Sequence, residues 1–284
     1  MVEQAQENSP LSAAVADVAN GVALALDGGG GSYALSALLA QDDRVALAAI
    51  RVLGADVLAP YALGRAAGGG PDGQSAGGPD GQLVRRALAA YPPGADASDV
   101  SRWSYQGLAE ATRAFLPDEG TSGYSGTEPA GGGANPADGQ PYADRFSYSL
   151  SPENAGPAGS PNPANPASPA GSAADAWLRD APWPKLSHRA SQLAALALPG
   201  LAPALAAGLA ARTEDLARGF VRAVRRRDWL QAAGVGRWLV RAPDVPDSLG
   251  LEAGMVYVRR MSGGDPRVAL HALAARRFPG GGSR

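Results

Sequence analysis

The residues best suited to chemistry are arginines on one predicted helix. Arg222 lies four positions after Arg218 and three and four positions before Arg225 and Arg226, so all four share one side of a helix. Further arginines and two tryptophans extend this basic region: Arg227, Trp229, Arg237, Trp238 and Arg241. Guanidinium groups bind phosphates and carboxylates, and exposed indole rings stack on bases. The pattern predicts either a nucleic-acid contact or a solvated charged face with the tryptophans in the core.

The charge of the chain is unevenly distributed, although the formal net charge is only −2. Residues 1–116 carry a net charge of −5, residues 117–172 carry −5 and residues 173–284 carry +8. Such asymmetry indicates an acidic partner for the last block. A protein partner, a nucleic acid and the acidic segment 117–172 of the same chain all fit that description.

The sequence contains few residues that could bind a metal or a cofactor, and we expect the protein to bind neither. Cysteine is absent, so no disulfide and no thiolate ligand can form. The two histidines, His188 and His271, lie in separate predicted helices, and no H-E-x-x-H string occurs. We expect both histidines to be ordinary surface or packing residues.

An apolar run followed by glycines occupies residues 22–32, which read Val-Ala-Leu-Ala-Leu-Asp-Gly-Gly-Gly-Gly-Ser. The string resembles the oxyanion-hole turn of patatin-like lipases and, more distantly, the phosphate turn of actin-fold sugar kinases. The first resemblance implies an acyl hydrolase whose backbone N–H groups between Asp27 and Ser32 stabilise an oxyanion. Such an enzyme also needs a G-x-S-x-G elbow, and residues 120–124, Gly-Thr-Ser-Gly-Tyr, lack its final glycine. The alternative is a helix that ends in a glycine loop.

The elements that must position these residues are predicted to be helices in two blocks. Alanine and leucine dominate both blocks, and the β-branched runs typical of strands are absent. Between the blocks, 56 residues contain ten glycines, ten prolines and Leu150 as the only Leu, Ile or Val. That segment cannot bury enough apolar surface to offset its ordering entropy. The sequence therefore predicts an all-α fold, with a helical block at 1–116, a disordered linker at 117–172 and a basic helical block at 173–284.

Apolar periodicity and capping residues locate the individual helices. The first predicted helix carries Leu11, Val15, Val18, Val22 and Leu26 on one stripe, with Ser12 as its N-cap. The remaining helices are predicted at 33–40, 44–58, 82–90, 98–116, 187–198, 201–211, 213–227, 229–241, 249–261 and 265–278, and Trp177 and Trp183 flank a further short helix and a Pro-rich turn.

One uncharged stretch, residues 193–211, approaches the length of a membrane span, which needs about 20 apolar residues. Pro199, Gly200 and Pro203 interrupt it, so we expect two short buried helices and no membrane span. The first residues lack the basic and apolar regions of a signal peptide. The expected location is cytoplasmic.

Two stretches of the chain share a further pattern. In residues 38–49 and 264–273, a turn containing Asp is followed by Arg-Val at the start of an Ala-rich helix. Each resembles the inter-helix turn and second helix of a HEAT-like repeat, over about 25 residues per block. The resemblance implies a short α-solenoid that binds proteins or other polymers on its concave face. An irregular helical bundle is the alternative.

These observations favour a non-catalytic scaffold or adaptor subunit that acts through protein–protein contacts with an unidentified partner. The first alternative is a nucleic-acid-associated helical subunit that uses the Arg-rich region 212–241. The second is a patatin-like acyl hydrolase.

Overall fold

The computed structural model describes residues 9–29, 33–39, 43–66, 78–116 and 176–280. Within these ranges the secondary structure is entirely helical, so the predicted all-α fold is confirmed. The helices fall in two regions, one on each side of the segment 117–175. The predicted linker and residues 30–32 of the glycine string lie outside the described residues.

The thirteen α-helices of these ranges are numbered in chain order. The first region contains α1 (Pro10–Asp27), α2 (Leu35–Leu38), α3 (Arg44–Leu53), α4 (Ala59–Ala66), α5 (Pro79–Ala90) and α6 (Asp99–Phe115). The second contains α7 (Ala176–Asp180), α8 (Trp183–Gln192), α9 (Pro203–Ala210), α10 (Thr213–Arg225), α11 (Trp229–Leu239), α12 (Leu251–Met261) and α13 (Pro266–Arg277). Short 3₁₀ segments lie at Gly54–Leu58, Ala194–Leu196 and Asp247–Leu249.

Helix α1 shows how local chemistry sets the element boundaries. Its N-cap is Ser9, whose hydroxyl accepts the Ser12 N–H at 3.2 Å, so the prediction of Ser12 as the cap was wrong by one turn. Pro10 follows at the first helical position, where its missing N–H has no intrahelical partner to lose. The predicted stripe from Val15 to Leu26 is buried, whereas Leu11 is exposed.

The two turns in which Asp precedes Arg-Val begin helices as the sequence predicts. The Asp43 carboxylate accepts the Val45 N–H at 2.8 Å and caps α3. The Asp265 carboxylate accepts the Arg267 N–H at 2.8 Å and caps α13. Each carboxylate satisfies backbone donors that have no partner inside the helix.

The helix predicted at 44–58 ends at Leu53. A 3₁₀ segment follows it and leads directly into α4, a helix that the sequence did not predict. By length and composition alone, the run Arg44–Ala66 is apolar enough to cross a membrane, but 72% of its apolar window is buried inside the fold.

The uncharged stretch 193–211 is divided by a turn at Gly200, whose φ is +80°, and α9 begins at Pro203. The helix predicted to begin at Leu201 therefore begins two residues later.

The helices of both blocks enclose one continuous apolar core. Helix α1 packs against α3 of its own block and against α13 of the other. Helix α11 packs against α8, α10 and α13, and it is buried along almost its whole length. The polypeptide segments on either side of residues 117–175 therefore depend on each other for burial.

Close approach of α8 and α11 rests on Gly234. A Cβ placed there would lie 2.8 Å from the Ser191 carbonyl oxygen and 3.0 Å from its Cα, and these backbone atoms can yield only if α8 moves. We expect Gly234→Ala to lower the free energy of unfolding by about 1–3 kcal/mol, as overpacking does. Urea denaturation measures the change.

Gly64 provides the matched control, because it is also helical but, among the described residues, nothing beyond its chain neighbours and its own helix backbone lies within 4 Å of the position that a Cβ would take. Gly64→Ala is expected to raise the free energy of unfolding by roughly 0.5–1 kcal/mol through lower backbone entropy of the unfolded chain. Equal effects of the two substitutions would contradict the packing argument.

Candidate ligand-binding groove

Helix α10 presents the predicted arginines because its opposite side is held in the core. Leu216, Gly219, Phe220 and Ala223 are buried on that side, where α10 packs against α8 and α11. Acidic residues in its first turn and arginines in its last turn both favour the helix through its dipole. Burial of the apolar side therefore fixes which side of α10 faces solvent.

A groove of about 780 Å³ runs beside this exposed side. It is bounded by α10, by the first residue of α8 and by the segment that precedes α12. Its charged lining consists of Glu214, Arg218, Arg222, Arg225 and Arg226. The remaining lining residues are Trp183, Ala217, Val221, Pro246, Ser248 and Leu249. The structure thus brings together the four arginines that the spacing placed on one side of the helix.

The four guanidiniums of the groove differ in what they already contact. Arg218 pairs with Glu214 at 2.6 Å, and both side chains are more than half exposed. Arg222 lies over the ring of Trp183, 5.6 Å from its centroid. Arg225 and Arg226 are exposed and have no ion-pair partner among the described residues. The last two are the guanidiniums most available to an incoming anionic group.

Three other residues of the predicted basic region lie outside the groove. Arg227 is exposed at the end of α10 with a φ of +58°. Trp229 is half-buried and packs edge-on against Tyr257, with ring centroids 6.0 Å apart. Arg241 is half-buried, and burial followed by the charge of Arg237 lowers the pKa of its guanidinium.

The two remaining residues of the predicted basic region, Arg237 and Trp238, lie in the interior and are not accessible to a nucleic acid. Arg237 is 0% exposed. Trp238 is 3% exposed and donates its indole N–H to the Ala190 carbonyl oxygen at 2.9 Å. The extension of the basic region to Arg241 rested on nearness in sequence, which does not distinguish the exposed side of α10 from the buried helix α11.

Arg237 forms part of a buried polar cluster that spans the two blocks. Its Nη1 donates to Asp56 Oδ1 at 2.5 Å, and Asp56 is 1% exposed. The same Nη1 lies 3.2 Å from His271 Nδ1, which is 3.5 Å from Asp56 Oδ2. A guanidinium can only donate, so Nδ1 accepts and His271 is neutral in this arrangement. We call Asp56, Arg237 and His271 the buried triad.

The protonation of His271 links this triad to pH. Burial lowers the pKa of His271 from 6.5 to about 4, and the Asp56 carboxylate opposes that change only in part. The unfolded chain therefore binds a proton at a higher pH than the folded chain does. We expect the free energy of unfolding to be independent of this group above pH 6.5 and to fall as the pH drops from 6.5 to 4, by at most about 1.4 kcal/mol per pH unit.

Denaturation midpoints measured across that pH range test this effect, with His271→Gln as the comparison. The variant is expected to be less stable at neutral pH but to lose less stability on acidification than the wild type. Parallel pH profiles for the two proteins would show that His271 does not titrate as described.

Both histidines line a second, smaller cleft of about 290 Å³, which sequence reasoning did not predict. Residues of α3 and of its following 3₁₀ segment form one side, and residues of α8, α11 and α13 form the other. Asp56 and His271 form its buried polar part, and His188 Nδ1 lies 3.4 Å from Gln231 Oε1. Within the described ranges, no group of three or more His, Asp and Glu side chains is placed to hold a metal ion.

The glycine string after residue 26 does not follow a strand. Residues 22–26 belong to α1, which ends at Asp27, and the turn continues through Gly28 and Gly29. Arg276 pairs with the Asp27 carboxylate at 2.8 Å and fixes this end of α1 to α13. The turn therefore lacks the strand-to-helix geometry of an α/β hydrolase site, and within the described ranges no strand is present.

Comparison of the chain with protein-family models, with curated proteins and with solved structures finds no match.

Proposed function

We propose that the chain is a non-catalytic scaffold or adaptor subunit that binds another protein at the groove beside α10. One observation supports this most directly: exposed guanidiniums and partly exposed apolar side chains line the same groove. Arginine and tryptophan are enriched among the residues that dominate protein interfaces. A groove of this size accommodates several side chains of a partner.

The architecture is consistent with a binding role. The Asp-capped helices α3 and α13 both pack against α1. Their turns carry the resemblance to HEAT-like repeats, and we propose that the fold is a short, irregular relative of such helical-pair architectures. Proteins of that architecture act mainly by presenting a surface. A cytoplasmic location is part of the same proposal, because a chain without cysteine forms no disulfides and so needs no oxidising compartment.

A nucleic-acid-associated role is the second candidate, and Arg225 and Arg226 favour it because they are exposed and without an ion-pair partner in the described ranges. The tryptophans weaken it. Trp238 is buried, and Trp229 already packs against Tyr257. Single-strand binding relies on exposed aromatic platforms, and neither indole provides one.

The proposal is tested by native co-purification followed by reconstitution. Proteins that accompany the tagged full-length chain are produced separately and recombined with it, and complex formation is measured by analytical ultracentrifugation. We expect at least one defined complex. Failure of every co-purified protein to rebind the isolated chain would contradict the adaptor role. Binding of a single-stranded oligonucleotide that weakens steeply with salt would instead support the second candidate.

A further inference from the structure

We infer that the groove beside α10 binds an acidic segment of a partner protein, one that carries a large apolar side chain between its carboxylates. This inference rests on the proposed function and specifies the chemistry of the partner. It follows from the charge of the groove, from the spacing of its arginines and from the apolar surface between them.

The charge of the groove favours an acidic ligand. Four of its lining residues are arginines, and Glu214 is the only acidic one among the described lining. Glu214 pairs with Arg218, the first of the four groove arginines along α10. Arg222, Arg225 and Arg226 therefore remain as cations without a carboxylate partner among the described residues. Carboxylates are their natural ligands, because a guanidinium presents paired donors to the two oxygens.

The spacing of the arginines fits a peptide. Arg218 and Arg225 are seven residues apart on α10, which separates them by about 10 Å along the helix axis. Carboxylates three or four residues apart on a partner helix are separated by roughly 5–6 Å, and those two residues apart on an extended segment by about 7 Å. Two or three carboxylates of one short segment can thus contact the groove arginines at the same time.

The apolar part of the groove provides a place for one large side chain. Trp183, Val221 and Leu249 are half-buried, so part of each remains open to the groove. Covering such surface with an apolar group contributes about 25 cal/mol per Å² buried. A purely charged ligand would leave this surface exposed.

The same contacts favour a peptide over a nucleic acid. Arg222 covers one face of the Trp183 ring, so a base would have to displace the guanidinium to stack there. A protein side chain can pack against the ring edge and leave the cation–π contact in place. A carboxylate beside Arg222 would then complete the contacts of the guanidinium.

The test uses the full-length chain and labelled synthetic peptides of about 15 residues, which span roughly 22 Å as a helix. The first peptide is rich in glutamate and has one central phenylalanine. The second replaces that phenylalanine with alanine, and the third replaces the glutamates with glutamine. A single-stranded oligonucleotide and a peptide of the chain's own residues 117–172 are the competing probes. Fluorescence anisotropy gives each Kd.

Two adjacent-arginine variants form a matched pair. Arg225→Gln/Arg226→Gln removes two exposed charges from the groove, and Arg259→Gln/Arg260→Gln removes two exposed charges from the end of α12, outside it. Both lower the net charge equally. We expect the groove variant to weaken binding of the first peptide at least about tenfold, which corresponds to 1.4 kcal/mol. The α12 variant is expected to change it less than about twofold. The second and third peptides should each bind at least fivefold more weakly than the first.

Equal effects of the two variants, equal affinity for all three peptides, or tighter binding of the oligonucleotide or of the 117–172 peptide would overturn the inference. These outcomes are separable from failure of the proposed function. If a reconstituted protein complex forms but tolerates the loss of Arg225 and Arg226, the adaptor role stands and the groove is not its acidic-segment site. Circular dichroism of each variant establishes that the comparison is between folded proteins.

Discussion

Replacing Arg237 with methionine is expected to lower the free energy of unfolding by about 3–5 kcal/mol. The reason is that Asp56 would keep its carboxylate in the interior, 1% exposed, without the guanidinium that now lies 2.5 Å away. An uncompensated buried charge is among the most destabilising changes that a single substitution can cause. Urea denaturation at neutral pH, followed by circular dichroism, measures the loss.

The double variant Asp56→Leu/Arg237→Met distinguishes a charge effect from a packing effect. Both polar groups are then replaced by apolar ones of similar volume, and such replacements are often neutral. We expect the double variant to recover most of the stability that Arg237→Met loses. Losses that simply add in the double variant would show that the two side chains do not act as a pair. Nε and Nη2 of Arg237 have no hydrogen-bond partner among the described residues, which adds to the expected recovery.

Asp80→Ala is expected to have the second largest effect, a loss of about 2–4 kcal/mol. The Asp80 carboxylate accepts the Leu35 N–H at 2.6 Å, the Ser36 N–H at 2.8 Å and the Tyr61 hydroxyl. A hydrogen bond to a charged group contributes about 1.5–3 kcal/mol to stability. Removing the Asp80 carboxylate leaves its three donors without an acceptor at a largely buried site, and the donors that can still reach water keep the total loss below the sum of the three bonds. Burial and the neighbouring carboxylate raise the pKa of Tyr61 above its ordinary value, so its hydroxyl remains a donor.

Two milder variants set the scale for this prediction. Asp80→Asn keeps one acceptor oxygen and should lose less stability than Asp80→Ala. Tyr61→Phe removes a single donor and should lose about 1.5 kcal/mol, the lower end of the range for a hydrogen bond to a charged group. Thermal denaturation ranks the three. If Asp80→Asn proves as damaging as Asp80→Ala, the negative charge at this position matters more than its geometry as an acceptor. If all three variants match the wild type, the carboxylate does not stabilise α2.

Features encoded within a few residues of each other were predictable from the sequence. The stripe of α1 follows from helical periodicity, and the starts of α3 and α13 follow from an Asp that satisfies the first backbone donors. The grouping of Arg218, Arg222, Arg225 and Arg226 beside one groove has the same origin, because a helix alone determines it.

Features that depend on distant residues were not predictable. Asp80 lies in a Gly-Pro-Asp-Gly-Gln string whose residue types favour a turn, yet Pro79 begins α5 and the carboxylate of Asp80 binds backbone 45 residues away. Arg237 and Asp56 are 181 positions apart. The sequence contained one usable signal for Arg237, since it lies among small and apolar residues from Ala232 to Val240, unlike the arginines of α10. Helix α4 was missed because Pro60 and Gly64 are poor helix formers that burial overrides.

The packing of α1 against α13 also bears on how the protein emerges from the ribosome. About 240 residues separate the end of α1 from the start of α13. At translation rates of 5–20 residues per second, the part of α1 that packs against α13 waits on the order of 10–50 s for that helix, although α3 follows α1 much sooner. During biosynthesis that side is open to chaperones and to neighbouring nascent chains. Completion of the tertiary structure therefore waits until α13 has been synthesised, and polysome crowding is the condition under which misassembly is most expected.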